Sequence, residues 1–179
     1  KVLQVADYGV PQSRRRLVLL AGRKIKIPIP KPTHSRTGED GLKPWKTLRE
    51  VIKGMPKPVT FEYAVKKGGP RKFGWHVIRN ISSTNLERLR FAKPGSSRAV
   101  LPKRVRPDCH KKSNAGFGNV YGRMSWDQPS VTITGGCTTV SKGRFGHPSQ
   151  LRTISLREAA LIQTFPRNYR IKTSHMERA

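Results

Sequence analysis

The longest unbroken apolar run in the chain is five residues, Leu17-Val18-Leu19-Leu20-Ala21, and three arginines, Arg14, Arg15 and Arg16, stand directly before it. A run of that length suits a strand buried on both faces. It falls far short of the roughly 18–20 apolar residues that cross a bilayer as a helix. Turn chemistry bounds it, with Asp7-Tyr8-Gly9-Val10-Pro11 ahead and Gly22 behind. Residues 16–22 therefore read as a fully buried strand of an α/β sheet, and residues 1–6 as a short half-buried strand before it.

Charge decides the class of partner. The 179 residues hold 37 Lys and Arg against 10 Asp and Glu, a net charge of +27. A surplus of that size repels itself and is tolerable where a polyanion neutralises it. Residues 23–122 carry 24 Lys and Arg against six Asp and Glu, interleaved with Trp45, Phe61, Tyr63, Phe73, Trp75 and Phe117. No long basic amphipathic helix runs through them, which favours a folded surface on nucleic-acid phosphates over a membrane-lying helix. A generic basic protein remains open on composition alone. With only Cys109 and Cys137, at most one disulfide can form, which suits a reducing compartment, and the expected location is the cytoplasm.

Along the chain, Pro28, Pro30 and Pro32 exclude a helix or a central strand and mark an exit linker. Two helices carry start signals. Thr47 with Glu50 makes a capping box ahead of Leu48, Val51 and Ile52, closed by Gly54 and Pro56. Ser155 with Glu158 makes another ahead of a face of Leu156, Ala159, Ala160, Ile162 and Phe165, closed by Pro166. A short helix is expected over residues 85–91, an exposed loop over 66–72, a strand over 130–134 (SVTIT), and a polar, mobile stretch over 138–146.

Motifs for chemistry are mostly missing. The sequence has no Walker loop, no GxGxxG after a strand, no HExxH and no carboxylates paired at a useful spacing. Cys109-His110 could supply half a metal site, but one further cysteine 28 residues on does not complete it, so no metal is expected. The block Gln12-Ser13-Arg14-Arg15-Arg16 stands out, since alternation puts Arg14 and Arg16 on one side of the strand. Two guanidiniums so placed can bind a carbonyl oxygen, a carboxylate or a phosphate through fixed donor forks. A solvated basic edge is the plainer alternative.

Two blocks, DYGVPQSRRR at residues 7–16 and YGRMSWDQPSVTIT at 121–134, resemble the DNA (cytosine-5) methyltransferase family and stand in its order. Further matches are PWKTLREVI at 44–52, residues 76–88 with Ser82, Ser83 and Asn85, KPGSSR at 93–98, and Gly146-His147-Pro148 leading to SLREAALIQTFP at 155–166. The resemblance implies a cytosine flipped from the duplex, a cysteine attacking C6, a glutamate protonating N3, and a methyl passing from S-adenosylmethionine to C5. It implies that Arg16 donates to the cytosine O2, that Arg14 braces the active-site loop or a phosphate, and that Gln12 holds that loop. It places Thr134 on the phosphate backbone beside the flipped nucleotide, with Gly135 and Gly136 allowing close approach. Arg123, Ser125 and Thr132 join these as expected contacts to double-stranded DNA.

The implied organisation is the end of a Rossmann-like, S-adenosylmethionine-dependent catalytic domain at 1–24, a small mixed target-recognition domain at 25–152, and a return to the catalytic domain at 153–179. The family's Pro-Cys nucleophile, Glu-Asn-Val motif and glycine-rich cofactor loop do not occur in this sequence, and the family's terminal Gly-Asn block is expected beyond Ala179. The expectation is a C-terminal portion of the enzyme, inactive alone, with the cofactor held mainly by the portion bearing those motifs. The alternative is a separate DNA-binding subunit or module, either without chemistry or completing a complementary chain that carries the Pro-Cys motif. Membership of a restriction-modification system and association with the nucleoid belong to the same expectation.

Overall fold

The computed structural model describes residues 1–111 and 117–173. Its secondary structure is mixed α/β, carried by short elements. Among these residues the strands form three separate two-stranded sheets: β1 (Val2–Gln4) antiparallel to β2 (Arg15–Leu17), β3 (His34–Ser35) parallel to β4 (Lys43–Pro44), and β5 (Val59–Thr60) parallel to β6 (Val77–Ile78). The helices are α1 (Leu48–Ile52), α2 (Phe61–Lys66), α3 (Ser83–Phe91) and α4 (Leu156–Ile162).

Both capping boxes form. Thr47 N–H donates to Glu50 Oε1 at 2.8 Å to start α1. Ser155 N–H donates to Glu158 Oε2 at 2.7 Å, and Glu158 N–H returns to Ser155 Oγ at 3.0 Å, to start α4. Each reciprocal pair satisfies two orphan donors of a first helical turn. Residues on the inner sides of these helices, Leu48, Ile52, Ala159, Leu161 and Ile162, meet Met124, Ile133, Cys137, Phe145 and Ile154 in the main core. That core runs across residues 152 and 153 without a break. A smaller cluster of Ala64, Trp75 and Val77 abuts it through Leu156.

Trp75 stitches the smaller cluster to α4. Its backbone sits in the left-handed region (φ 61°), a strained place for an aromatic residue. Three hydrogen bonds offset that strain: Trp75 N–H to the Pro70 carbonyl at 3.0 Å, Arg157 N–H to the Trp75 carbonyl at 3.0 Å, and the indole N–H to the Ile171 carbonyl at 3.2 Å.

Several expectations need correction. Residues 16–22 do not form a buried strand: β2 is only three residues long and exposed throughout, with Leu17 77% and Leu19 87% exposed. An apolar run that reads as interior thus lies largely at the surface, with Val18 alone of Leu17–Leu20 half-buried. Residues 130–134 form no strand; Ser130 makes a single parallel bridge to Gln12. The stretch 138–146 is packed rather than loose, because Val140 and Phe145 anchor it in the interior and Tyr121 N–H and Ile154 N–H bond their carbonyls at 2.8 Å. Polar spelling hid those two anchors. Phe165 leaves the buried face of α4 and tilts against Tyr169, ring centroids 4.8 Å apart. The helix foreseen at 85–91 starts earlier, at Ser83, with Ser82 as its cap. The loop foreseen at 66–72 is partly helical, since α2 ends at Lys66 and a 3-10 turn spans Pro70–Phe73.

Candidate nucleic-acid interface and reaction site

The arginine block is set by local turn geometry. Residues Val5–Tyr8 wind into one 3-10 turn, which Gly9 closes in the left-handed conformation (φ 81°). A side chain at Gly9 would press on the His34 ring, 2.8 Å from the position of its Cβ, so glycine is required there on two counts. The chain then reverses, and Val5 N–H binds the Arg14 carbonyl at 2.9 Å, so Arg15 enters β2 opposite Gln4.

The second block meets the first here. Ser13 N–H donates to the Ser130 carbonyl at 2.7 Å, Ser130 N–H to the Pro11 carbonyl at 2.9 Å, and Thr132 Oγ1 to the Ser13 carbonyl at 3.2 Å. Gln12 lies buried in this junction, 2% exposed, and its Oε1 has no hydrogen-bond partner among the described residues. Arg14 is half-buried. Arg16 is exposed and rests Nη1 on the Arg15 carbonyl at 2.7 Å, a contact a ligand can replace without leaving a buried group unpaired.

Past the junction, Thr134 and Gly135 are exposed on the wall of a cleft of about 500 Å³, with Cys137 and Thr138 beside them and Gln163, Phe165 and Tyr169 opposite. Space around Gly135 is open, whereas a Cβ at Gly136 would meet the flexible Lys142 side chain at 2.6 Å. Arg79 Nε reaches Thr138 Oγ1 at 3.3 Å at the rim. Ser125 is half-buried next to Gly95. Arg123 does not join this group: its Nε and Nη2 bind the carbonyls of His147 (3.0 Å) and Pro148 (2.7 Å). Thr132 likewise spends its hydroxyl inside the protein. The structure thus brings Gln12, Ser13, Ser130 and Thr132 together, sets Thr134 and Gly135 on the cleft, and leaves Arg123 inside a loop junction.

A buried polar network, not foreseen from sequence, supports that junction. Arg152 grips Glu158 through two bonds, Nη1 to Oε2 at 2.7 Å and Nη2 to Oε1 at 2.8 Å, with Glu158 fully buried. Burial works against the Glu158 charge, yet the Arg152 fork and the Ser155 N–H hold its carboxyl below the usual range. His147 Nδ1 accepts the N–H groups of Ser149 (3.2 Å) and Gln150 (3.1 Å), so Nε2 carries the proton and points to Glu158 Oε1 at 3.9 Å. Burial, and then Arg152, push His147 down to about 4, so its ring is neutral at pH 7. His76 continues the chain: its Nε2 donates to the Pro56 carbonyl at 2.7 Å and its Nδ1 accepts from Ser155 Oγ at 2.8 Å. The sequence marked Ser155 and Glu158 as a capping box and placed His76 and His147 within matching blocks, but no fixed spacing joins these residues to Arg152 as one network.

Cys137 is buried and its thiol is pushed up by that burial, while Cys109 is exposed. Among the described residues no three His, Cys, Asp or Glu side chains converge as metal ligands, and no helix is long and apolar enough to cross a membrane.

Known proteins match this chain over nearly all of it. The Type II methylase M.HgiDII of Herpetosiphon aurantiacus is 43% identical over 171 residues, covering 94% of this chain and 44% of that protein. The Type II methyltransferase M1.BsuMI of Bacillus subtilis (strain 168) is 50% identical over 167 residues, covering 92% and 35% respectively. M1.HphI of Haemophilus parahaemolyticus, also a Type II methyltransferase, is 32% identical over 171 residues, covering 94% and 39%. The chain therefore spans less than half the length of these relatives. The family model described as C-5 cytosine-specific DNA methylase matches residues 1–178, a span that includes both the arginine block and the SVTIT block it is bonded to. The chain belongs to the C-5 cytosine-specific DNA methylase family.

Proposed function

We propose that this chain supplies the DNA-contacting part of a DNA (cytosine-5) methyltransferase of a restriction-modification system, with residues 1–24 and 153–179 completing a Rossmann-like catalytic domain and 25–152 recognising the target. The observation that carries the reading is the bonding of Ser13 to Ser130 and Thr132, which ties the arginine block to the segment that runs on to Thr134 and Gly135 in the cleft wall. In this arrangement Arg16 donates to the O2 of a flipped cytosine as negative charge builds on the ring, and Arg14 holds the loop or a neighbouring phosphate. Gln12 keeps the turn in place from within. Thr134 and Gly135 take the adjoining backbone phosphate, while the basic surface of 25–152 supplies sequence-independent affinity. Arg123 acts by bracing residues 147–148 rather than by reaching DNA directly, and Thr132 by holding Ser13.

The methyl donor of such a reaction is S-adenosylmethionine. Among the described residues Gly135-Gly136 follows no strand and opens no helix, so this pair does not fit the glycine-rich turn of a dinucleotide-type cofactor site, and no step is assigned to this chain's residues toward that group. The nucleophile belongs to another part of the enzyme: Cys137 is buried with a raised pKa, and Cys109 adjoins Asp108, which is paired to Lys111 at 2.7 Å. Alone, the chain binds duplex DNA and transfers no methyl group. The test combines it with a polypeptide carrying the Pro-Cys motif. Arg16→Ala should lower turnover by a hundredfold or more with DNA affinity within a few-fold, as for loss of an oxyanion-type donor. Equal losses in both would reduce Arg16 to a phosphate clamp, and robust methylation by the chain alone would remove the argument about the nucleophile.

A further inference from the structure

We propose that Gln4 is a positioning residue for the arginine pair, setting the backbone from which Arg14 and Arg16 project. This rests on the role given to Arg16 above. Gln4 ends β1, and its side chain crosses to the returning strand, where Oε1 accepts Arg14 N–H at 2.7 Å and Nε2 donates to Ser13 Oγ at 3.3 Å. The β1–β2 ladder reaches its last pair at Gln4 and Arg15. Arg14 lies one residue beyond, where its carbonyl still has a backbone partner in Val5 N–H at 2.9 Å and its N–H does not. The Gln4 amide supplies the missing rung.

The same amide reaches the second block through Ser13. That residue is held on three sides: its N–H by the Ser130 carbonyl, its carbonyl by Thr132 Oγ1, and its hydroxyl by Gln4 Nε2. Gln4 thus bonds through its side chain to two successive residues of the QSRRR segment, and it does so from a strand outside it. An acceptor and a donor in one uncharged group are what the position uses, and among side chains the carboxamide provides both in one plane. Asparagine, one methylene shorter, does not span the gap; glutamate keeps the acceptor for Arg14 N–H and loses the donor to Ser13. Because a donor displaced by about 1 Å from a developing charge costs on the order of a hundredfold in rate, a loosened Arg14 backbone registers in turnover.

Gln4→Leu, Gln4→Asn and Gln4→Glu separate the two bonds. In the chain itself, amide hydrogen exchange at Arg14 should quicken about tenfold in Gln4→Leu and Gln4→Asn, and stay within about threefold in Gln4→Glu, while exchange at Val5 reports that the ladder persists. Should Gln4→Leu not fold, Gln4→Asn tests the same bond. Combined with a Pro-Cys-bearing polypeptide, the Leu and Asn variants should lose about tenfold in kcat with KM for duplex DNA within about twofold, and Gln4→Glu should recover most of it. Unchanged exchange at Arg14, or a raised KM with kcat intact, overturns the proposal. Turnover lost in Arg16→Ala but kept in Gln4→Leu overturns it too. Turnover kept in both, with exchange quickened, overturns instead the role of Arg16.

Discussion

Ser13 and Ser130 are bonded backbone to backbone at 2.7 Å, although more than a hundred residues separate them in sequence. With Ser130 N–H on the Pro11 carbonyl and Thr132 Oγ1 on the Ser13 carbonyl, this junction holds two loops that carry no regular strand of their own. Ser130 is fully buried, so its backbone groups have no water to fall back on. Ser130→Pro removes the donor and leaves the Pro11 carbonyl unpaired. The expected loss is about 1–3 kcal/mol, read as a lower urea midpoint with an unchanged slope. Thr132→Val should cost about 1 kcal/mol by the same measurement.

Glu158 is where burial and charge conflict most. Removing one partner of a buried pair strands the other, so Glu158→Leu and Arg152→Met should each destabilise by about 3–5 kcal/mol. The double variant should cost clearly less than the two singles together, because no uncompensated charge remains. Strict additivity in urea unfolding would mean the two side chains do not act as a pair.

His147 gives the chain a pH signature. Its folded pKa of about 4 lies below the ordinary value of 6.5, so between those values the unfolded chain binds the extra proton. Stability is therefore full above pH 6.5 and falls as pH drops toward 4, by on the order of 3 kcal/mol. Glu158, also held low, adds a loss only at pH values below the usual carboxylate range, as pH falls through its folded pKa. His147→Gln should flatten the decline between pH 6.5 and 4 and leave the more acidic one. Identical pH profiles for the two proteins would contradict the neutral, buried ring.

DNA binding should be steeply salt-dependent. For Z neutralised phosphates, log K falls against log salt with a slope near −0.9Z, so several contacts give a loss of a decade or more over a few-fold rise in salt. Filter binding or fluorescence anisotropy at 50–200 mM salt measures it. A flat response would speak against phosphate contacts by the 25–152 region.

What could be read from sequence was what is local. The boxes at Thr47 and Ser155 are spelled within four residues, and both helices start where spelled. Pro28, Pro30 and Pro32 kept their segment free of helix and strand. The burial of residues 17–21 failed because an apolar run records a preference for covering and not what covers it. The SVTIT segment failed for a related reason: β-branched composition favours extension, but only Ser130 finds a ladder partner. The pairing of Glu158 with Arg152 and His147 stayed hidden because a polar residue betrays its burial only through partners, and these come from a loop and a helix with no common period. In the candidate site, the residue types of the QSRRR block were legible, while its attachment through Gln4, Ser13 and Ser130 was not.

The exposed face of β2 also bears on how copies of the chain behave together. Leu17, Leu19 and Ile25 are exposed, and among the described residues β2 pairs along one edge only, the other being a template for pairing with an identical strand. What opposes that association is the +27 charge each copy carries. Salt shortens the reach of this repulsion to about 10 Å at 0.1 M and about 3 Å at 1 M, while leaving the apolar attraction in place. If the chain binds DNA as proposed, the ions that loosen that complex also lower the colloidal barrier between free molecules, and the polyanion then serves as a solubilising partner as well as a target.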